Sequence, residues 1–291
     1  MKNKKNRIKL LPIFFVIIVL ILFVLAFYKI NFNKYQEADT TGKLVVHFIN
    51  VGQGDSILLQ SNGENLLIDS GSKCSKNNLL NYLNKTGIKK LDYIIATHPH
   101  EDHIGNMSYV IDRYGAKQNI FAPKITSTSA SYKAMIKAIS DAHKKITVAK
   151  AGVSFKLGTD VFCEIIAPNS ISYKNTNDYS AVLKVTFDKT SFLFTGDAEK
   201  ISETEILENN YYINADVLKV GHHGSMSSTS IKFLESVSPK IAIISCEKKN
   251  EYGHPHDVTL KKLKENNIKI FRTDFNGNIV LESDGNKIIQ R

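Results

Sequence analysis

Cysteine is scarce in this sequence, and the spacing of the few cysteines excludes two kinds of stabilised scaffold. Cys74, Cys163 and Cys246 are odd in number and widely separated, which does not fit a disulfide framework. There is no CxxC pair, so the cysteines do not predict a structural zinc site. We interpret them as isolated small apolar residues.

Internal breaks are absent as well. From Lys43 onward the sequence has no stretch rich in proline, glycine or serine, no low-complexity run and no short repeat. A hydrophobic fraction of 43% is typical of a globular protein with a substantial core. Residues 43–291 are therefore predicted to form one domain, preceded by a polar linker at residues 29–42.

The net charge of +10 is unevenly distributed. Half of this excess comes from five basic residues within positions 1–9, and the remaining sequence is mildly basic. Such a surface suits a polyanionic substrate, although solvated lysine faces give the same composition without any nucleic-acid binding.

The N-terminal region contains one long apolar run. Residues 10–28, "LLPIFFVIIVLILFVLAFY", include no charge and are long enough to cross a hydrocarbon core as a helix. No small-residue cleavage pattern follows, which favours an uncleaved signal anchor over a cleaved signal peptide. The basic residues 1–9 then predict a cytoplasmic tail, with the domain extracellular in a single-pass membrane protein.

Strand-like and helix-like segments alternate in the domain. Runs such as "KLVVHFINV", "DSILLQ" and "ENLLIDSG" are separated by glycine turns and predict strands. Segments such as "KNNLLNYLNKTG" and "SYKAMIKAISDAHKK" have helical spacing, and the second places His143 on a solvated helix. This order predicts sheets whose outer faces are covered by helices.

The histidines are the strongest functional signal in the sequence. Seven of the nine form three clusters, and each cluster follows an apolar, strand-like run directly or after a short loop. Sites of α/β sheets gather at the carboxyl ends of strands, so clusters placed alike are predicted to converge. The clusters are His98, His100 and His103; His222 and His223; and His254 and His256.

The first cluster, in "THPHEDHIGN", has the spacing expected of a cradle for two metal ions. His98 and His100 leave the predicted strand end, and Asp102 and His103 follow at the entry to a helix. Imidazole and carboxylate are suitable ligands for zinc, iron or manganese. A polar surface turn would explain this cluster alone. Asp197, which ends the run "FLFTGD", would complete the cradle, although a helix N-cap is its alternative role.

The motifs HxHxDH, TGD and HHGS, in this order, resemble those of the metallo-β-lactamase superfamily. The strings "FINVGQGDSILL", "NDYSAVLKV", "DVLKVGHHGS" and "YGHPHDVTLKKL" are similar to the hydrolase domain of ComEC-type DNA-uptake competence proteins, over essentially all of residues 43–291. The resemblance implies an α/β fold, a four-layer αββα sandwich. It also implies two divalent metal ions, zinc in the first place and manganese as the alternative.

The resemblance further implies roles for single residues. His98 and His100 would bind one metal ion, Asp102 and His103 the other, and Asp197 would bridge them. His223 would complete the second site, while His222 would contact the substrate or donate a proton, although the sequence does not decide between these two histidines. Asp102 and His222 are the expected catalytic residues.

Other positions have weaker signals. Superfamily members often have another metal-binding histidine before TGD, whereas this chain has the asparagine-rich "NTNDYS" with Asn177. Asn177, His254 and His256 are expected to contact the substrate, and the alternative for the two histidines is a structural loop. Gln53 and Asp55 in "GQGDS" are expected to support the metal ligands, or to form a glycine turn with a capping aspartate.

These expectations describe a membrane-anchored, extracellular, metal-dependent hydrolase. The leading function is a phosphodiesterase or nuclease that cleaves DNA with a metal-bound hydroxide. One alternative is a phosphodiesterase acting on phosphorylcholine or on a cell-wall polymer. Another is a metal-stabilised DNA-binding module that assists a separate uptake channel, because one predicted span does not form a channel.

Overall fold

The computed structural model describes residues 16–23 and 39–291. Residues 16–23 are helical and exposed. No helix in these two described ranges has the length and apolar character needed to cross a membrane. Residues 1–15 and 24–38, which include most of the predicted anchor and linker, lie outside the described residues. The anchor therefore stays a prediction.

Fifteen strands form two sheets in the described part of the chain. Their bounds are β1 Leu44–Phe48, β2 Ile57–Ser61, β3 Glu64–Ile68, β4 Tyr93–Ile95, β5 Asn119–Ala122, β6 Ile146–Val148, β7 Val153–Leu157, β8 Val161–Ala167, β9 Val182–Phe187, β10 Thr190–Phe194, β11 Val217–Lys219, β12 Ile241–Ile244, β13 Lys269–Arg272, β14 Ile279–Ser283 and β15 Ile288–Gln290.

The α-helices of the domain follow the same chain order. They are α1 Lys76–Lys85, α2 Glu101–Ile104, α3 Met107–Tyr114, α4 Ala130–Asp141, α5 Lys200–Glu208, α6 Ile231–Val237, α7 Asp257–Glu265 and α8 Thr273–Asn276. Helix α4 ends at Asp141, and His143 adopts a left-handed φ of 53°. The prediction that His143 lies on this helix was therefore wrong. Ala142 at the helix C-cap already leaves helical geometry with a ψ near 3°.

Both sheets have a parallel and an antiparallel half. The first sheet has the strand order β15-β14-β1-β2-β3-β4-β5-β6, and the second has the order β13-β12-β11-β10-β9-β8-β7. Strands β3 to β6 are parallel in the first sheet, as are β10 to β13 in the second. The carboxyl ends of these parallel strands provide the loops on which the histidine clusters lie.

The alternation of side chains along each strand separates three apolar clusters. In β3, Leu66 and Ile68 point into the core between the sheets, whereas Leu67 packs against the helices outside. A similar helix-covered cluster, which includes Phe233 of α6, lies on the outer face of the second sheet. Strands buried on both faces explain the nearly continuous apolar runs of the sequence. The expected α/β sandwich of two sheets covered by helices is confirmed.

Candidate metal centre

The histidine and aspartate motifs converge at one edge of the sandwich. The segment from Thr97 to His103 follows β4 and leads into α2, with His100 at the helix N-cap position. Asp197 follows β10, and His222 and His223 lie in the 3₁₀ turn that follows β11. The histidine and aspartate side chains that follow parallel strands of both sheets therefore meet at the carboxyl ends of those strands.

Four side chains form a compact group: Asp102, His103, Asp197 and His223 each offer one ligand atom, and these atoms lie within 4.8 Å of one another. The Nε2 atom of His223 lies 3.3 Å from Asp102 Oδ2 and 3.5 Å from Asp197 Oδ1. His103 Nε2 lies 3.3 Å from Asp197 Oδ2. Two imidazole nitrogens and two carboxylates at these separations suit one divalent transition-metal ion.

His98 and His100 lie beside this group, and His98 faces the same Asp197 oxygen as His103. His98 Nε2 is 3.0 Å from His100 Nδ1 and 3.8 Å from Asp197 Oδ2. The opposite ring nitrogen of His98, Nδ1, is within hydrogen-bonding distance of the hydroxyls of Thr97 and Ser180, at 3.1 and 3.3 Å. These contacts orient His98 Nε2 toward His100 and Asp197, the side chains that the sequence motifs assign to a second metal ion.

Unsatisfied polar atoms indicate that the centre fits a metal ion. His103 Nε2, His223 Nε2 and Asp197 Oδ1 are buried and make no well-formed hydrogen bond within the described residues, although they face one another. Leaving such atoms without a partner is costly in a folded protein. A divalent metal ion at their junction would satisfy all three atoms, so the residues present fit the expected metal.

The electrostatics of the group are consistent with ionised ligands. Burial alone would lower the pKa of His223, but the neighbouring carboxylates of Asp197 and Asp102 raise it to about 10. Burial would raise the pKa of Asp197, but the imidazoles of His223 and His103 hold it well below its usual range. A bound metal ion would replace the imidazolium protons as the positive partner of these carboxylates.

Asp69 orients His103 from behind, a role that the sequence reasoning missed. The Nδ1–H of His103 donates to Asp69 Oδ2 at 2.7 Å, which directs Nε2 toward the centre. The backbone N–H and the hydroxyl of Thr97 donate to the two oxygens of the same carboxylate, at 2.8 and 2.6 Å. This carboxylate–histidine arrangement is typical of metal ligands. The available signal was an acidic residue directly after the strand run "LLI".

The "GQGD" turn lies directly behind the centre. A Cβ atom on Gly54 would lie 2.1 Å from the carbonyl oxygen of Asp102, so this close approach requires glycine. Asp55 is buried, with Oδ1 3.6 Å from His223 Nδ1 and Oδ2 2.8 Å from the fully buried ammonium of Lys219. Gln53 lines a cavity in front of the centre, where its side-chain oxygen accepts a hydrogen bond from the Glu247 backbone N–H at 3.3 Å.

His223 and His222 point to different partners. His223 Nδ1–H donates to the Ser245 carbonyl at 2.9 Å, which leaves Nε2 facing Asp102 and Asp197. His222 is partly exposed, with Nδ1 3.1 Å from Glu199 Oε1 and Nε2 3.7 Å from Asp197 Oδ2. His223 therefore lies inside the compact four-residue group, whereas His222 lies at its open side.

The backbone conformation of the turn directs the side chains of the adjacent His222 and His223 to different partners. Both residues adopt left-handed conformations, with φ of 47° for His222 and 54° for His223. Gly224 follows with φ of 87°, and a Cβ atom there would lie 2.5 Å from Pro255 Cβ. The glycine of "HHG" is thus required by both its backbone conformation and its close contact.

Asn177 and Glu199 extend the network around His222. The Asn177 side-chain amide donates to Glu199 Oε1 at 3.0 Å, and the same carboxylate oxygen contacts His222. Glu199 was not among the sequence-predicted residues. Its signal was its position two residues after Asp197 in "TGDAE". The asparagine-rich segment thereby contributes to the site both directly and through Glu199.

A cavity of about 550 Å³ opens in front of the centre. Asn177, His222 and His254 line it, together with the candidate ligands His100, Asp102, Asp197 and His223. His256 lies behind His254, and its Nδ1 accepts from the Met226 backbone N–H at 3.0 Å. Among the described residues, the cavity lining includes His254 but not His256.

Comparisons with known sequences identify the family of this chain. The chain matches the Metallo-beta-lactamase superfamily over residues 49–247. It is 33% identical to ComE operon protein 3 of Bacillus subtilis (strain 168) over 252 residues, which cover 80% of this chain and 32% of that protein. It is 28% identical to Competence protein ComA of Neisseria gonorrhoeae over 251 residues, which cover 85% of this chain and 33% of that protein. The chain thus spans about a third of the length of these relatives.

A solved structure supports the fold. The metallo-beta-lactamase fold protein YhfI from Bacillus subtilis is similar with a TM-score of 0.56 and 16% identity, covering 82% of this chain and 100% of that one. The resemblance to ComEC-type competence proteins inferred from the sequence motifs is confirmed by the two relatives. Since the family match covers more than half of the sequence, this chain belongs to the metallo-β-lactamase superfamily, whose members are generally metal-dependent hydrolases.

Proposed function

We propose that this chain is a metal-dependent phosphodiesterase that hydrolyses nucleic acid, with DNA as its substrate. The observation that carries the proposal is the group of half-buried Asp102 with buried His103, Asp197 and His223 at the floor of an open cavity. The competence relatives support a nucleic-acid substrate, because one of them is named a competence protein. The net charge of +10 is compatible with a polyanionic ligand.

Two ligand sets would hold two divalent ions, with zinc as the first choice and manganese as the alternative. His98 and His100 would form one set, and Asp102, His103 and His223 the other, with Asp197 between them. When bound, the ions would supply a nucleophile from water at neutral pH and stabilise negative charge on the phosphoryl group. No separate strong base is then needed from the protein.

The chain's own residues would position the substrate and move one proton. In hydrolysis, the oxygen of water bonds to phosphorus, the bond from phosphorus to the leaving oxygen breaks, and that oxygen takes a proton. His222 lies at the open side of the centre with Nδ1 held by Glu199, so its Nε2 is placed to donate this proton. The backbone oxygens of Lys219 and Gly221 accept hydrogen bonds from Thr195 and Ser228, which fixes the turn carrying His222.

Asn177 and His254 would contact the phosphodiester from the cavity walls. Burial, and then the neighbouring imidazoles of His222 and His223, lower the pKa of His254 to about 4. A neutral imidazole at neutral pH still donates one hydrogen bond to a phosphate oxygen. His256 lies behind His254, so we expect it to orient the His254 ring rather than to contact the substrate.

The membrane anchor at residues 10–28 is part of the same proposal, with the hydrolase domain extracellular. Such a domain would degrade DNA at the cell surface, and a separate DNA-uptake channel is its proposed partner. Protease added to intact cells should remove the domain while residues near Met1 stay with the membrane fraction. A secreted product that starts near residue 30 would contradict the anchor without affecting the hydrolase.

The decisive experiment is hydrolysis by the purified protein loaded with zinc, manganese or cobalt. Substrates should include DNA, RNA, bis-p-nitrophenyl phosphate and a choline phosphate ester. We expect cleavage of DNA that Asp197→Ala abolishes, together with a loss of bound metal, because Asp197 faces both ligand sets. Binding of DNA without turnover under all metals would favour the binding-module alternative. Preferred cleavage of the choline ester would favour the phosphorylcholine alternative.

A further inference from the structure

The loop between β12 and α7 forms one wall of the catalytic cavity, and its chemistry differs from that of the floor. Glu247, Glu251, Tyr252 and His254 of this loop line the cavity. The Asn250 side chain braces the loop, because it accepts from the His254 backbone N–H at 2.9 Å and donates to the Glu247 carbonyl at 2.9 Å. The wall is therefore held in a defined conformation without a ligand.

Tyr252 presents an aromatic ring at the mouth of the cavity. Its ring stacks on that of His254, with centroids 5.6 Å apart and planes inclined by 23°. The His254 ring lies 5.2 Å from the His222 ring, which borders the metal centre. Tyr252 is 58% exposed, so much of its ring is free to contact a ligand. Single exposed aromatic residues are common, but this one extends a row of rings that begins at the reacting centre.

The negative charges at the cavity mouth disfavour the binding of a phosphate group next to Tyr252. Glu101, Glu247 and Glu251 line the cavity, whereas no lysine or arginine of the described chain does so. Carboxylates repel phosphates, but they accept hydrogen bonds from the amino groups of bases. Lys248 and Lys249 are exposed in the same loop, outside the lining, where they are available to backbone phosphates.

We propose that Tyr252 stacks on an unpaired nucleobase next to the phosphate being hydrolysed, so that the site takes single-stranded nucleic acid. A paired base within a duplex is covered on both faces by its neighbours, whereas a single-stranded base has a face free for an aromatic side chain. This inference rests on the proposed nucleic-acid phosphodiesterase function. It adds a base-binding position beside the metal centre and a preference for unpaired strands.

The test compares three variants of the metal-loaded full chain. Tyr252→Ala removes the ring, Tyr252→Phe keeps it, and Tyr212→Ala is the matched control, because Tyr212 is 82% exposed and precedes the amino end of β11, away from the site. The substrates are an oligothymidine strand, an abasic strand of equal length, and a duplex. Metal content and thermal unfolding establish that each variant is folded and loaded.

We expect Tyr252→Ala to raise KM for oligothymidine by about 5- to 150-fold, the range that the loss of one stacked base gives. Tyr252→Phe and Tyr212→Ala should keep the wild-type KM. The abasic strand should be a poor substrate for the wild type and insensitive to Tyr252→Ala. The duplex should be cleaved more slowly than the single strand.

Two results would overturn the base-stacking role while leaving the phosphodiesterase intact. One is an unchanged KM for oligothymidine in Tyr252→Ala, and the other is an equal loss on the abasic strand. A loss confined to p-nitrophenylphosphorylcholine, with p-nitrophenyl methyl phosphate unaffected, would assign Tyr252 to a quaternary ammonium group instead. If the wild type cleaves no oligonucleotide with any metal, the proposed function and this inference both fail.

Discussion

Asp69→Asn is the most informative single substitution, because Asp69 contacts the candidate metal ligands without being one of them. The change keeps the size of the side chain but removes its charge. The His103 Nδ1–H bond to Asp69, 2.7 Å long, then loses its charged acceptor. A hydrogen bond to a charged group contributes about 1.5–3 kcal/mol, which corresponds to roughly 10- to 150-fold in an equilibrium constant. We therefore expect metal affinity at the four-residue site to fall by roughly 10- to 100-fold.

The assay is competition with a chelator of known affinity, followed by metal analysis of the recovered protein. Asp92→Asn is the matched control, because Asp92 is equally buried but lies at the amino end of β4, whereas Asp69 lies at the carboxyl end of the parallel strand β3. Both variants should lose some stability in urea unfolding of the metal-free protein. Only Asp69→Asn should lose metal affinity. Equal metal loss in the two variants, or wild-type affinity in Asp69→Asn, would refute the orienting role.

The remaining predictions concern the turn after β11, the metal itself and one buried histidine. His223→Ala should lower metal occupancy, whereas His222→Ala should keep the metal and lower turnover by ~10²–10⁴-fold; metal loss in His222→Ala alone would reverse these roles. Gly224→Ala should destabilise the fold by at least about 1–2 kcal/mol in urea unfolding, since φ is 87° there. Removal of metal should lower the melting temperature without unfolding the domain; complete unfolding of the metal-free protein would contradict this. Burial lowers the pKa of His47 to about 4 from an ordinary 6.5. Between these two values the imidazole binds a proton in the unfolded protein but not in the folded protein, so the stability of the fold decreases as pH drops from 6.5 toward 4. Between pH 7.5 and 4 the wild type should lose on the order of 3 kcal/mol more than His47→Asn, and equal losses would exclude this origin.

The convergence of the candidate metal ligands was predictable from the sequence because each one follows an apolar run. The runs before His98, Asp197 and His223 read as strands, and parallel strands bring their carboxyl ends to one edge of a sheet. The structure places all three side chains there. The type of these residues and their position after predicted strands were sufficient to predict that they converge.

The supporting residues were less predictable, for a physical reason. Asp69 follows β3, and it reaches His103 because β3 pairs in parallel with β4. That pairing is a long-range property which local spacing does not specify. Glu199 and Lys219 have ordinary local interpretations, as a helix cap and as a strand residue. The orientations of His254 and His256 follow from an irregular loop, whose side-chain directions have no period to extrapolate.

The layout of the centre allows its chemistry to be studied apart from folding. His103 comes from the first sheet, and Asp197 and His223 come from the second, so a bound ion would link the two sheets at their edge. The apolar cluster between the sheets is large and includes side chains from both, such as Phe48 and Phe194. A domain with such a core does not depend on metal for folding in the way that small zinc fingers do. Substitutions of the candidate ligands should therefore leave a folded protein, and their effects on the proposed hydrolysis can be assigned to the site.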